Sequence, residues 1–115
     1  MVQHKNLYRR AVVVAVISVC YKHGVRLDEQ YYLTKHVPLV ERVWGPQGLE
    51  RVEVRKLTAT VDGAAPPYQI IFSMYFPSLE TFQTALQNPT SAEVMDDVKN
   101  YYDGMPEILF GEVLA

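Results

Sequence analysis

The chain has 115 residues, 49% of them hydrophobic and 21% charged, with a formal net charge of -2. That length fits one domain burying roughly two thirds of its unfolded surface, and the interspersed charges leave no basic stripe for nucleic acid. Its one cysteine, Cys20, excludes an internal disulfide and fits a reducing, cytoplasmic setting, and the histidines His4, His23 and His36 share no metal-ligand spacing.

Residues 1–10 read as an N-terminal extension ahead of a single domain at 11–115. "HKNLYRR" followed by "AVVVAVISVC" imitates a secretory signal, but no small-x-small cleavage site follows. The run is too short to span a bilayer and is rich in β-branched residues, so no membrane association is expected. Residues 11–21 therefore read as the first strand. Val12, Val14 and Val16 occupy one side-chain parity, and Val13, Ile17 and Val19 the other. A strand apolar on both parities is buried on both faces.

A helix is expected over 28–44, with Asp28 as N-cap and Gly45, Pro46 and Gly48 closing it. Residues 49–57, "LERVEVRKL", alternate as a half-exposed strand. Residues 68–76, "YQIIFSMYF", form a strand apolar on both parities. Ser78 caps a short helix through Leu86, Asn88-Pro89 breaks it, and a second helical segment follows over 90–102. Residues 106–114 are the last strand, with Glu107 and Glu112 marking it as exposed.

This order is the ferredoxin-like βαββαβ pattern, an α+β fold with an antiparallel sheet. Strands one and three are central in that topology, and they are the two that lack charges. Helices cover one face only. The other face, exposed in a lone protomer, predicts a partner, most simply a second copy joined sheet to sheet about a two-fold axis.

On a helical wheel at about 100° per residue, Leu33, His36, Val37, Val40, Val43 and Trp44 share the apolar arc. Thr34, Lys35, Pro38, Glu41 and Arg42 take the opposite side. Tyr32 lies one turn before His36, near enough to touch it. Pro38 predicts a kink and frees the Thr34 carbonyl toward solvent. Two readings of His36 stand at this point. It is a packed core histidine with one hydrogen bond, or a pocket histidine that moves protons near neutral pH. The second predicts a cavity beside it, some access to solvent, and Tyr32 or an acidic residue such as Asp97 bonded to its ring.

"DEQYYLTKHVPLVERV" resembles the signature of the EthD family, named for ethyl tert-butyl ether degradation, through Tyr31, Tyr32, His36, Pro38, Leu39 and Val40. "MDDVKNYYDGMPEILFGEVL" resembles the family's segment before its last strand, through Asp97, Val98, Asn100, Tyr101 and Asp103. "FPSLETFQTAL" is similar to its Phe-x-Ser-x-Glu-x-Phe helix start. The resemblance implies a homodimeric α/β barrel with a pocket between sheet and helices in each subunit.

The chain has no GxGxxG, no phosphate-cradling glycine loop and no cluster of metal ligands, so no cofactor is expected. Any chemistry must then come from side chains: His36 as acid/base, Tyr32 as its hydrogen-bond partner, and Asp97 and Tyr101 from the second motif. Three functions fit. The first is a cofactor-free enzyme or accessory catalyst acting on an apolar organic molecule, in the oxidation, isomerisation or cyclisation class that the resemblance implies. The second is a non-catalytic module that binds such a molecule for an oxygenase or degradation pathway. The third is a structural dimer with a sealed core. Met74 and Met95 read as core filler, and Cys20 as buried and inert.

Overall fold

The computed structural model describes residues 14–115. The expected N-terminal extension and the first three residues of the expected first strand, including Val12 and Val13, lie outside the described residues. Within them the chain runs β1 (Ala15–Lys22), a helical stretch α1 (29–44), β2 (Arg51–Lys56), β3 (Tyr68–Phe76), α2 (Leu79–Gln87), α3 (Ser91–Asp97) and β4 (Glu107–Glu112). The sheet order is β2-β3-β1-β4 and every pairing is antiparallel. The fold is the ferredoxin-like α+β fold that the sequence predicts.

The β1–β3 register sets the two faces of the sheet. Ile17 pairs with Met74, Val19 with Phe72 and Tyr21 with Ile70, and these side chains are buried beneath the helices. The alternate residues form the open face in rows across the four strands: Arg51-Tyr75-Val16-Gly111, Glu53-Ser73-Ser18-Leu109 and Arg55-Ile71-Cys20-Glu107. That face is less apolar than expected, because Ser18 meets Ser73 at its centre. The Arg51 guanidinium lies 3.9 Å over the Tyr75 ring. Edge strand β4 is exposed as expected. Its glutamates are at the ends, while Ile108, Leu109 and Phe110 between them are 46%, 52% and 55% exposed. An apolar edge of this kind invites a covering partner.

α1 begins as expected, with the Asp28 side chain accepting from the Tyr31 N–H at 3.0 Å. It is not uniform. Glu29–Tyr31 is α-helical, Tyr32–His36 forms a π-helical turn, and Val37–Trp44 is α-helical again. The Val37 N–H bonds to the Tyr32 carbonyl across the wide turn, one residue before Pro38, which has no N–H to give. The helix thus absorbs its proline by widening. The widening corrects the wheel. Tyr32, His36, Val40, Val43 and Trp44 are buried, but Leu33 is 47% exposed, because a uniform 100° step does not hold within the π-turn where Leu33 lies. Pro38, Thr34, Lys35, Glu41 and Arg42 face solvent as expected. Ser78 caps α2 through the Thr81 N–H at 3.1 Å, and Asn88 ends it in extended backbone before Pro89.

Candidate functional site

The π-turn in α1 aims both Tyr32 and His36 at the sheet, where they meet the segment that follows α3. His36 Nδ1 lies 2.9 Å from Asp97 Oδ2. Asp97 is held from two further sides. The Tyr31 hydroxyl donates to its Oδ1 at 2.6 Å, and the Asn100 amide donates to the same oxygen at 2.9 Å. A carboxylate can only accept, so Nδ1 carries the hydrogen and the Nε2 lone pair is free. Burial pushes Asp97 up, but the bonds from Tyr31, Asn100 and His36 outweigh it, and its carboxyl is held below the usual carboxylate value of 3.8. Burial pushes His36 down, and this outweighs the pull of Asp97, so the imidazole stays neutral below its ordinary value of 6.5.

These shifts predict how stability depends on pH. As pH falls below 6.5, an unfolded chain protonates His36 while the folded protein resists it, so stability declines from there. A second decline begins as pH falls through 3.8, where the unfolded Asp97 takes its proton first. Thermal melting followed from about pH 8 to about pH 5, a range that brackets histidine titration, should show a falling midpoint. The midpoint of His36→Gln should fall less steeply over that range.

Tyr32 does not hydrogen-bond His36. The two rings stack with centroids 5.5 Å apart, and the Tyr32 hydroxyl is buried without a hydrogen-bond partner among the described residues. The acidic alternative, Asp97, is the histidine's partner. Tyr101 is fully buried, with its ring centroid 4.5 Å from that of His36. Its hydroxyl lies 2.6 Å from the hydroxyl of Tyr21 on β1. Burial raises the Tyr21 hydroxyl above the ordinary phenol value, and the Tyr32 and Tyr101 hydroxyls well above it. All four expected site residues therefore converge, at the junction of α1, α3 and β1.

An apolar cavity of about 70 Å³ lies between sheet and helices. Ile17, Tyr21, Trp44, Phe72, Phe82 and Val94 wall it, and Met95 and Ile108 line it where α3 approaches β4. Both of the latter are about half exposed, which marks the mouth. Met95 is thus not core filler, whereas Met74 is buried at 2% exposure. His36 is itself only 3% exposed and does not line the cavity, so the expected direct opening beside it is corrected. Tyr21 and Tyr101 connect the cavity wall to the histidine. Sequence reading missed Tyr21 as a site residue, although it shares the parity of Ile17 and Val19. It named Tyr31 and Asn100 in the motifs without giving them roles, because their common target, Asp97, lies 66 positions from Tyr31. Cys20 is buried as expected.

A family model described as "EthD domain" matches residues 27–105, which include α1, α3, His36 and Asp97. The chain belongs to the EthD family. Among solved structures it is similar to an EthD-like protein from Ralstonia eutropha JMP134, with 28% identity, a TM-score of 0.80, and coverage of 89% of this chain and 93% of the other. It is also similar to an ethyl tert-butyl ether degradation family protein from Bacillus halodurans C-125, with 19% identity, a TM-score of 0.70, and coverage of 89% and 99%. A hydroxynitrile lyase from Passiflora edulis shares the fold at 11% identity and a TM-score of 0.57, with coverage of 89% and 94%. No curated protein matches the sequence. Among the described residues no helix of this EthD protein is long and apolar enough to cross a membrane, and no three His, Cys, Asp or Glu residues cluster as metal ligands.

Proposed function

We propose that this protein binds an apolar small molecule between its sheet and helices and acts on it by cofactor-free acid/base chemistry, with His36 as the base. The observation that carries this reading is the buried Asp97–His36 pair, itself braced by Tyr31 and Asn100. Asp97 fixes the tautomer and stabilises the imidazolium formed when Nε2 takes a proton. Tyr32 stacks on the ring and holds its plane, and Tyr101 packs against the ring and bonds Tyr21, which lines the cavity. Proton abstraction from carbon, isomerisation and cyclisation all begin with such a base. The fold shared with a hydroxynitrile lyase is compatible with chemistry of this kind.

The protein is proposed to work as a homodimer through its open sheet faces, where Val16, Ile71, Tyr75 and Leu109 supply the apolar contact. Dimerisation of this kind is what the resemblance to the barrel-forming family implies.

A second reading has its own support. His36 does not line the cavity, which favours a carrier or accessory module that holds the molecule without converting it. Acetophenone, an aromatic ring with one carbonyl, separates the two. The protein is incubated with it in D₂O, and loss of the methyl proton signal is followed by NMR. Exchange faster than in buffer supports the base. Binding without exchange supports the carrier, and no binding removes the small-molecule reading altogether.

A further inference from the structure

Three phenols meet inside the protein: Tyr21, Tyr32 and Tyr101, each at most 1% exposed. They carry three hydroxyl protons, but only one hydrogen bond joins them, between Tyr21 and Tyr101 at 2.6 Å. The Tyr32 hydroxyl bonds to nothing among the described residues. Buried hydroxyls are ordinarily satisfied, so a cluster this short of acceptors calls for one from elsewhere. Either hydroxyl of the Tyr21–Tyr101 pair can donate, so one of the two protons is left without an acceptor. An acceptor placed beside Tyr21 takes that proton while Tyr101 donates to Tyr21. Of the three phenols, Tyr21 is the one that lines the apolar cavity.

The rest of the wall offers little competition. Its other side-chain N–H or O–H group is the indole of Trp44, and Trp44 Nε1 already donates to Ser91 Oγ at 2.8 Å. We infer that Tyr21 is the specificity residue of the cavity, donating its hydroxyl proton to a single acceptor oxygen on an otherwise apolar ligand, of which a ketone is the simplest class, with any bulk beyond the roughly 70 Å³ cavity leaving through the mouth at Met95 and Ile108. This rests on the small-molecule reading above and adds to it the polar group that the ligand must carry and the residue that reads it.

The test uses two compounds of the same shape, acetophenone and α-methylstyrene, which differ in a carbonyl oxygen against a methylene. Binding is followed through the NMR signal of the indole N–H of Trp44, the chain's one tryptophan, which sits in the wall. The full-length protein should bind acetophenone about fivefold more tightly, the net worth of roughly one neutral hydrogen bond. Tyr21→Phe should bind α-methylstyrene as before and lose the preference. Tyr101→Phe should keep it, because Tyr21 retains its proton. Equal binding of the two compounds by the wild-type protein, or an unchanged preference in Tyr21→Phe, overturns the role of Tyr21 and leaves the pocket standing. If neither compound shifts the indole signal, the proposal fails together with the small-molecule reading. A Tyr21→Phe protein that loses α-methylstyrene binding as well also counts against it, since the hydroxyl would then be holding the cavity's shape instead of reading an oxygen.

Discussion

Replacing His36 by alanine should lower the proton-exchange rate by at least about 10²-fold, the usual scale for losing a general acid/base. The side chain is buried, stacked on Tyr32 and bonded to Asp97, so some stability is lost as well. Asp97 keeps two of its three donors, Tyr31 and Asn100, and is not stranded as an unpaired buried charge. The combined cost of a small cavity and one lost hydrogen bond should be about 2 kcal/mol. Asp97→Asn separates orientation from proton transfer. An amide oxygen can still accept from Nδ1, but it carries no charge to stabilise the imidazolium. Exchange should fall by less than in His36→Ala, and its acid limb should move to lower pH, because the charge that favoured protonation is gone. Wild-type rates in His36→Ala, with the 2 kcal/mol loss or more, would make His36 a packing residue and leave the carrier reading.

The order of elements and the division into central and edge strands were legible in the sequence because both depend on local signals. Paired apolar parities mark β1 and β3, alternation marks β2, and Asp28, Ser78 and Asn88-Pro89 mark helix ends. The phase of α1 was legible only in part. A wheel assumes a uniform step, and the π-turn at Tyr32–His36 is a response to Pro38 that such a wheel cannot carry. It shifted Leu33 into solvent while leaving the i, i+4 series Tyr32, His36 and Val40 buried. The site was legible as two motifs, and the resemblance to the EthD family placed Asp97 among the candidates. That Asp97, rather than Tyr32, holds the histidine depends on a contact 61 positions apart in the chain. The separation of His36 from the cavity has the same cause. Burial on the apolar arc was readable, but which buried face meets empty space depends on packing between α3, β4 and β1.

Val16→Asp should convert the proposed dimer to monomer. Val16 lies on the open face between Tyr75 and Gly111, in the middle of a row that ends at Arg51. In a lone protomer the position is only half buried, so an aspartate there keeps contact with water and the fold should survive. Between two sheet faces it loses that water. The cation in its row, Arg51, is two strands away and engaged on the ring of Tyr75. Around a two-fold axis each protomer also brings its own copy of the new charge. An uncompensated charge buried in this way costs several kcal/mol, and about 3 kcal/mol already weakens the dissociation constant by roughly 10²-fold. Sedimentation equilibrium at low micromolar concentration should give a dimer for the wild-type protein and a monomer for Val16→Asp, with the same far-ultraviolet circular dichroism. Arg42→Ala on the solvent side of α1, away from the open sheet face, serves as the control. Its side chain is exposed and paired with Glu93 at 3.3 Å, a surface ion pair worth little, so the dimer should remain. A monomeric wild-type protein, or a Val16→Asp dimer of unchanged affinity, would mean that the open face is not the contact, and the exposed Ile108, Leu109 and Phe110 of the β4 edge would become the surface to test.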